Sequence, residues 1–487
     1  MIHYNLIINI MGLMLTLIAL VMPAGIPFSL YYGDDDVIPL LEATGITLLS
    51  GLLLFGLTSV GGRPDYNNIR KREGYIIVAA AWGVISIFGA LPFVLHGSIP
   101  SFTDAYFEAM SGFTTTGASI LADIEALPHG LLFWRSMMHW VGGIGIIVFS
   151  LAILPLLGVG GAQLFVAEVS GPQKDKIHPH VQGTAKRLWG IYVILTLICA
   201  LILASEGMSI FDALAHAMAT LSTGGFSTKN ASVAAYQSDV IHYTIALFMF
   251  LGGVNFSLHY HAMRGRLMSY FRDEEFRFYV LVIVANVILI VTAMRVFHPE
   301  FTWSRTIRDA IFQVVSIITS TGFVTADYEA WAPFMRYIFF ILLFAGACAG
   351  STTGGIKMIR LLLLARNSLV ELKQLLHPRA VIPLRISGKT VPEQTIRNVV
   401  AFFVLYIVIF VNGALVMSLM GLDFPSAMGA VAATLGCIGP GIGIVGPVNN
   451  YAAIPAPGEW FLCFMMVLGR LELFTVLVIL TPSFWRA

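Results

Sequence analysis

A short cluster of threonine, serine and glycine recurs four times along the chain at one fixed spacing. In each copy a glycine stands thirteen residues after an aspartate or serine that precedes alanine: Asp104 and Gly117, Asp212 and Gly225, Asp309 and Gly322, Ser426 and Gly439. Glycine permits backbone angles that point consecutive carbonyl groups in one direction, and rings of carbonyl oxygens can replace the water shell of a cation. This internal repeat therefore indicates coordination of a cation by four equivalent turns.

Each glycine cluster follows a short segment that the sequence predicts to be helical. Ser101, Ser209 and Thr306 precede the aspartates by three residues, as in a capping box, whereas the fourth copy has Asp423 before Ser426. About ten apolar and small residues follow, roughly half of the ~20 that span a bilayer, so these segments should enter the membrane and turn back. Non-helical backbone at membrane depth is tolerated where it lines a water-filled path or is buried in protein. Four such turns around one axis predict a pore, with the helix C-termini adding partial negative charge towards the ion.

The composition is that of an integral membrane protein. The 487 residues are 57% hydrophobic and only 11% charged, against about 25% charged in soluble domains. The net charge of +1 leaves no dominant basic patch, which argues against a nucleic-acid partner. The cysteines lie in apolar or re-entrant stretches and suggest neither a disulfide nor a metal site: Cys199, Cys348, Cys437 and Cys463.

The order of apolar segments predicts two helices, at about 5 to 24 and 38 to 60, followed by four repeats of helix, re-entrant helix and helix. The first apolar run lacks a basic n-region, which favours a retained helix over a signal peptide. The predicted units are an N-terminal two-helix domain at 1–62 and pore repeats at 63–172, 173–268, 269–390 and 391–487. The total is ten spanning helices. Of the 28 Lys and Arg residues this topology puts 21 in cytoplasmic and six, Arg135 among them, in external segments, so both termini should be cytoplasmic.

This array resembles the Trk/Ktr/HKT superfamily of potassium transporters, and the two additional N-terminal helices look like its bacterial TrkH type. Three sequence blocks also resemble TrkH blocks: 112–117, 348–357 and 469–472. The resemblance implies a potassium-selective conducting subunit of a bacterial Trk uptake system in the inner membrane. It also implies a homodimer and a cytoplasmic ring of nucleotide-binding TrkA-type subunits. Potassium would be the transported ion, and no other cofactor is implied.

Carried over by position, the resemblance implies a selectivity filter in the four glycine turns. The filter residues would be Thr115, Thr116 and Gly117; Thr223, Gly224 and Gly225; Ser320, Thr321 and Gly322; and Cys437, Ile438 and Gly439. The backbone carbonyls that would bind potassium are those of Thr116, Gly224, Thr321 and Ile438. All four turns carry glycine, which in this family favours potassium over sodium. One glycine per turn leaves fewer carbonyl rings than the five-residue loop of potassium channels, so some sodium and rubidium should pass.

The resemblance also implies a gate below the filter. The run from 346 to 355 would interrupt the second helix of the third repeat, and Arg470 would lie near the middle of the membrane in the ion path. The gating residues would be Gly346, Gly350, Ser351, Thr352, Thr353, Gly354, Gly355, Lys357 and Arg470. Lys357 should snorkel to the inner interface. A tight helix crossing is the alternative for the run, and a structural arginine is the alternative for Arg470.

Other polar residues indicate more ordinary roles. His139 should pack a small-residue helix rather than bind metal, and His259 and His261 should be interfacial. Residues 385–391 predict a small hairpin that a cytoplasmic partner could contact, with a solvated linker as the alternative. Because no nucleophile, base and orienter set is found, we expect no enzyme. An ion-coupled secondary transporter, carrying potassium with protons or sodium, is the alternative to a pore.

Overall fold

The structure is a computed structural model that describes residues 2–59, 66, 70–153 and 181–486. Two long helices come first and pack closely on each other, because a Cβ on Gly12 would lie 2.6 Å from the amide nitrogen of Phe55. The elements of this part are α1 Tyr4–Val21, the 3₁₀ turn Met22–Gly25, α2 Ile26–Tyr32 and α3 Val37–Ser59.

Four helical units follow. The first contains α4 Lys71–Gly89, α5 Leu91–His96, α6 Phe102–Phe113 and α7 His129–Ile153. The second contains α8 Val181–Ser205, α9 Ile210–Leu221, α10 Asp239–Gly252 and α11 Phe256–Met263. The third contains α12 Met268–Arg272, α13 Glu274–Phe297, α14 Trp303–Ile318, α15 Pro333–Leu342 and α16 Met358–Leu376. The fourth contains α17 Glu393–Leu419, α18 Phe424–Leu435, α19 Ala456–Arg470, α20 Phe474–Leu480 and α21 Pro482–Arg486. Short 3₁₀ turns lie at Ser232–Ala235, Tyr328–Ala330 and Gly443–Val445.

Four short helices, α6, α9, α14 and α18, lead into the glycine clusters, and we call them the pore helices. Ser101 and Ser209 cap the first two as the sequence predicts. The predicted start of the third is wrong: its cap is Thr302, whose hydroxyl accepts from the amide of Arg305 at 3.3 Å, and Thr306 is buried inside the helix. The third pore helix is one turn longer than the others because a second capping residue lies upstream. Asp423 precedes the fourth.

Six helices in the described ranges are long and apolar enough to cross a membrane, or eight when each of two bent helix pairs counts as one span. The other two predicted spans are α7 and the interrupted pair α15 and α16. The sequence identified an interruption only in the third repeat, yet the second helix of every repeat is interrupted. The breaks are Gly145, with φ of 59°; residues 253–255, with a 101° bend; residues 343–357; and residues 471–473, with a 119° bend.

The hairpin predicted after the third repeat's last helix is confirmed. Strand β1, Arg385–Ile386, pairs antiparallel with β2, Lys389–Thr390, across a turn in which Ser387 and Gly388 both have positive φ. Arg366 on α16 holds it by donating to the carbonyl of Arg385 at 2.5 Å. The cysteines are all buried and unpaired. Three of the predicted cytoplasmic cations, Arg63, Lys174 and Lys176, and the predicted unit boundaries at 62 and 172 lie outside the described residues.

Candidate ion-conduction site

The four glycine turns, 115–117, 223–225, 320–322 and 437–439, close into a ring in chain order. A Cβ built on each glycine would strike a carbonyl oxygen of the next turn: Gly117 against Gly224 at 2.2 Å, Gly225 against Thr321 at 1.9 Å, Gly322 against Ile438 at 2.0 Å, and Gly439 against Thr116 at 2.8 Å. Real Cβ atoms essentially never come within 3.0 Å of such atoms. The four oxygens are those that the family resemblance assigns to potassium. The structure brings them together and leaves no space for a side chain between them.

Each glycine turn contains two residues with left-handed backbone. The glycines have φ between 78° and 93°, and the residues two positions earlier have φ between 51° and 55°: Thr115, Thr223, Ser320 and Cys437. A left-handed conformation costs a residue with a side chain about 1–2 kcal/mol, so it persists only where the surrounding structure imposes it. The same strain at four equivalent positions shows that the turns share one backbone geometry.

Polar residues of the pore helices hold the chain as it leaves three of the turns. Glu108 accepts from the Ser119 hydroxyl at 3.0 Å, and His216 bonds the Ser227 hydroxyl at 2.8 Å. Gln313 donates to the carbonyl of Ala326 at 3.2 Å in the same way. The sequence analysis missed these residues, although their shared position, four residues after the repeated aspartates, could have revealed them.

The segment from 346 to 355, which we call the intramembrane loop, lies directly against the ring. The amide of Gly354 donates to the Ser320 hydroxyl of the third turn at 2.8 Å. The Thr223 hydroxyl of the second turn bonds that of Thr352 at 3.2 Å. A Cβ on Gly354 would lie 2.3 Å from the carbonyl oxygen of Gly436, beside the fourth turn. The loop therefore contacts three of the four turns or their immediate approaches.

Arg470 joins the loop to the first repeat. Its Nη1 donates to the carbonyl of Thr352 at 2.7 Å, and its Nη2 donates to the carbonyls of Gly142 and Gly143 at 2.5 and 3.1 Å. The side chain is 8% exposed. Glu472, two residues further on, forms an ion pair with Arg360 at 2.5 Å. Arg470 thus stands beside the loop and holds it by its backbone.

Glu275, which was not predicted from the sequence, bonds the chain at one point within the loop and at one point just after it. Its Oε1 accepts from the amides of Ala349 at 2.7 Å and Ile359 at 3.1 Å. The carboxylate is buried and belongs to the first turn of α13. A carboxylate that accepts two backbone amides makes charge-assisted bonds, which are stronger than neutral ones. Glu275 therefore fixes the position of the loop through Ala349 and Ile359.

Comparison with known proteins identifies the family that has this architecture. The family model described as "TrkH: Cation transport protein" matches residues 54–486. The chain belongs to the TrkH family. It is 41% identical to the Trk system potassium uptake protein TrkH of Escherichia coli (strain K12), over 99% of this chain and all of that one. It is 41% identical to the Trk system potassium uptake protein TrkI of Halomonas elongata, over 86% of this chain and 85% of that one. The crystal structure of the potassium transporter TrkH from Vibrio parahaemolyticus matches with a TM-score of 0.89 and 36% identity, covering 100% of both chains.

Membership of the TrkH family confirms the predicted fold class, an all-helical integral membrane protein, and makes the chain a cation transporter rather than an enzyme. Within the described ranges no group of three or more His, Cys, Asp or Glu side chains could hold a metal ion.

Two predicted side-chain placements in the TrkH chain are wrong, those of Lys357 and His259. Lys357 is buried and donates to the carbonyl and, at 3.1 Å, to the hydroxyl of Thr353, because the loop folds back over it; it does not snorkel. Arg135, which the sequence assigns to an external segment, is 1% exposed and pairs with Glu108 at 2.7 Å, so its charge is buried within the protein. His259 is buried rather than interfacial, between the hydroxyl of Tyr270 and the carbonyl of Leu251.

His139 packs as the sequence predicts. Its Nδ1 lies 2.8 Å from the carbonyl oxygen of Gly112, and its ring lies 4.1 Å from that of Phe226. A Cβ on Gly224 would lie 2.4 Å from the imidazole, so the histidine fills the space behind the second turn. This TrkH chain uses His139 to support the ring.

Proposed function

We propose that the chain is the potassium-conducting subunit of a bacterial Trk uptake system, with its selectivity filter in the four glycine turns. The observation that carries the proposal is the closed ring, in which each turn places a carbonyl oxygen against the glycine of its neighbour. Relatives at 41% identity are named potassium uptake proteins, which supports potassium as the ion. The carbonyls of Thr116, Gly224, Thr321 and Ile438 would take the place of water around a dehydrated cation.

The intramembrane loop would be the gate of this pore. Its contacts with the second and third turns leave it in the position of an obstruction beneath the filter. Opening requires the bonds from Glu275 and Arg470 to be released or the loop to move between them. The helix α16 begins directly after the loop and runs to the hairpin, so a cytoplasmic partner that displaces α16 would act on the gate.

We further propose the assembly that the resemblance implies: a homodimer in the bacterial inner membrane, with both termini cytoplasmic and a ring of TrkA-type nucleotide-binding subunits below. The name "Trk system" of the relatives supports a multi-component system. We assign the contact with the TrkA-type subunits to the cytoplasmic hairpin. The five units retain the limits predicted from the sequence, 1–62, 63–172, 173–268, 269–390 and 391–487.

An ion-coupled secondary transporter is the competing function, and one observation favours it. All four second helices are interrupted, and discontinuous helices are the usual substrate sites of secondary transporters. The ring of four glycine turns favours a pore, because the turns enclose one axis and form one continuous set of coordinating groups. The two functions differ in whether flux follows the electrochemical gradient of potassium alone.

Cation flux into liposomes that contain the purified protein tests the proposal. A potential is set across the membrane, and uptake is measured for lithium, sodium, potassium, rubidium and caesium, with and without proton and sodium gradients. We expect potassium and rubidium to enter fastest and the flux to reverse at the potassium equilibrium potential. Potassium accumulation driven by a proton or sodium gradient at zero potassium gradient would establish the coupled transporter instead.

Replacing Arg470 with alanine is expected to raise potassium flux about tenfold with little change in selectivity. A fixed charge beside a partly dehydrated path repels a cation, and about 1.4 kcal/mol of repulsion corresponds to a factor of ten. The variant also loses three bonds to carbonyl groups. Flux and thermal unfolding are measured on the same preparation.

Arg470→Lys is the matched control, since it keeps the charge but not the forked donor geometry. Flux near the original value in the lysine variant assigns the effect to charge. Raised flux in both variants assigns the increase to the lost hydrogen bond between Arg470 and the loop. An alanine variant that is both less stable and slower contradicts the pore-barrier role.

A further inference from the structure

The fourth glycine turn lacks the internal support that the first and third possess. In the first turn the hydroxyls of Thr114 and Thr116 are 2.8 Å apart, and in the third turn those of Thr319 and Thr321 are also 2.8 Å apart. The corresponding positions of the fourth turn hold Gly436 and Ile438, neither of which has a hydroxyl. The Cys437 thiol lies 3.6 Å from the carbonyl of Met466, which is a long contact. The fourth turn therefore lacks the side-chain bond between hydroxyls that braces the first and third turns.

Tyr451 supplies a hydrogen bond at this place. Its hydroxyl donates to the carbonyl oxygen of Gly439 at 2.6 Å, and the residue is 2% exposed. The tyrosine is itself fixed to the first repeat, because its amide donates to the carbonyl of Ser119 at 2.8 Å and its ring lies 5.5 Å from that of Phe107. The side chain thus connects the glycine of the fourth turn to the chain that leaves the first.

This contact makes the fourth turn different from the other three. In the described part of the chain no hydrogen-bond donor reaches the carbonyl oxygens of Gly117, Gly225 or Gly322. The junction between the fourth and first turns is also the widest. A Cβ on Gly439 would lie 2.8 Å from the nearest atoms, compared with 1.9 to 2.2 Å at the other three glycines.

We propose that Tyr451 is a selectivity-determining positioning residue, which holds the fourth glycine turn in register with the first. The inference rests on the proposed function, since it assigns the tyrosine a role in the filter. The peptide between Gly439 and Pro440 follows a left-handed glycine with φ of 93° and has no N–H group of its own. The tyrosine hydroxyl fixes the orientation of that carbonyl. Without it the peptide can rotate, and the adjacent Ile438 carbonyl, one of the four coordinating groups, loses its fixed position.

A looser ring should discriminate less between cations of different size. Potassium and sodium differ in the cavity and the coordination that they require, and a filter with one mobile carbonyl adapts to the smaller ion more easily. The total rate of transport is set largely by the gate and the path below, so it should change much less than the selectivity. A purely structural tyrosine would instead affect stability and rate together.

The test is Tyr451→Phe in the full-length protein, assayed as potassium and sodium flux into liposomes at a set potential. We expect the potassium-over-sodium permeability ratio to fall about fivefold, the factor that corresponds to one lost hydrogen bond of typical strength. Tyr328→Phe is the matched control. It removes a buried hydroxyl that donates to the carbonyl of Gly441 at 2.7 Å, two residues beyond the glycine of the ring.

A fall in the ratio for Tyr451→Phe but not for Tyr328→Phe supports the proposal. An unchanged ratio in folded Tyr451→Phe, or an equal fall in both variants, overturns it. Should Tyr451→Phe fail to assemble, 3-fluorotyrosine in place of Tyr451 retains the ring and strengthens the donor. That protein should keep or raise the ratio, and a lower ratio contradicts the proposal.

Failure of this inference is distinguishable from failure of the proposed function. Gly117→Ser is measured in the same series, because it changes the ring directly. If the serine variant loses selectivity and Tyr451→Phe does not, the filter stands and the role of Tyr451 is wrong. If neither variant changes the ratio, the filter assignment itself fails, and the role of Tyr451 fails with it.

Discussion

Replacing Gly117 with serine is expected to lower the potassium-over-sodium permeability ratio more than about tenfold. The new Cβ would lie 2.2 Å from the carbonyl oxygen of Gly224, so the first and second turns must separate. The backbone at Gly117 is also left-handed, which costs a serine about 1–2 kcal/mol, and about 1.4 kcal/mol already corresponds to a factor of ten. The ratio is measured by reversal potential in liposomes.

Gly97→Ser is the matched control for this substitution. Gly97 has nearly the same backbone, with φ of 80°, but a Cβ there would meet nothing within 4 Å. The control therefore contains the strain of the left-handed backbone without the collision in the ring. Gly439→Ser should be milder than Gly117→Ser, because its nearest atoms are 2.8 Å away. An unchanged ratio in folded Gly117→Ser would falsify the assignment of Gly117 to the filter.

Deleting residues 350–353 is expected to raise basal potassium flux at least about tenfold, as removal of an obstruction worth about 1.4 kcal/mol would do. The deletion removes the Thr352 contact with the second turn and the carbonyl that Arg470 holds. The ends of the loop are joined by a bridge between Ala345 and Ile356, which the deletion leaves in place. Flux is measured without and with the cytoplasmic partner, whose effect should weaken. A deletion protein that assembles correctly but conducts less than the original indicates that the loop is structural.

A single substitution tests the same gate by removing only the hydrogen bonds that hold the loop in place. Glu275→Ala removes the carboxylate that accepts from Ala349 and Ile359 and should raise basal flux less than the deletion does. Glu274→Ala is the neighbouring control, because Glu274 pairs with Arg366 at 2.6 Å and not with the loop. Equal changes in flux for the two alanine variants would show that the first turn of α13 as a whole controls flux, rather than the hydrogen bonds of Glu275 to the loop.

The sequence predicts the repeated part of this protein well because that part is encoded locally. A cap, a short apolar helix and a glycine each depend on neighbours within about a dozen residues, so their spacing survives as a readable pattern. The fold class follows from these segments together with the composition. The four carbonyls that the resemblance names each lie against a neighbouring glycine turn, because a shared register gives equivalent residues equivalent positions.

The supporting residues could not be predicted because their partners are distant in the chain. Glu275 bonds residues 74 and 84 positions away, and Arg470 bonds residues more than 100 positions away. Lys357 was placed at the inner interface because charged side chains usually lie there, yet it finds enough acceptors to be buried. Outside the third repeat, the interruptions of the second helices were not predicted from the sequence. The break at Leu471 to Leu473, for example, contains residues that are common in helices.

Among the described residues, the third repeat alone has a second helix broken by more than three residues, at 343–357. Under the proposed function each pore then carries one gate, which determines how the response to a regulator should vary with dose. A pore built from four identical subunits carries four copies of any gate, and such copies can open in concert and give a steep, sigmoidal curve. In the proposed pore one chain surrounds the path, and a single ten-residue segment would open it in one step. Each pore should therefore switch in all-or-none fashion with a Hill coefficient near one, and any steeper response must arise in the assembly that acts on it.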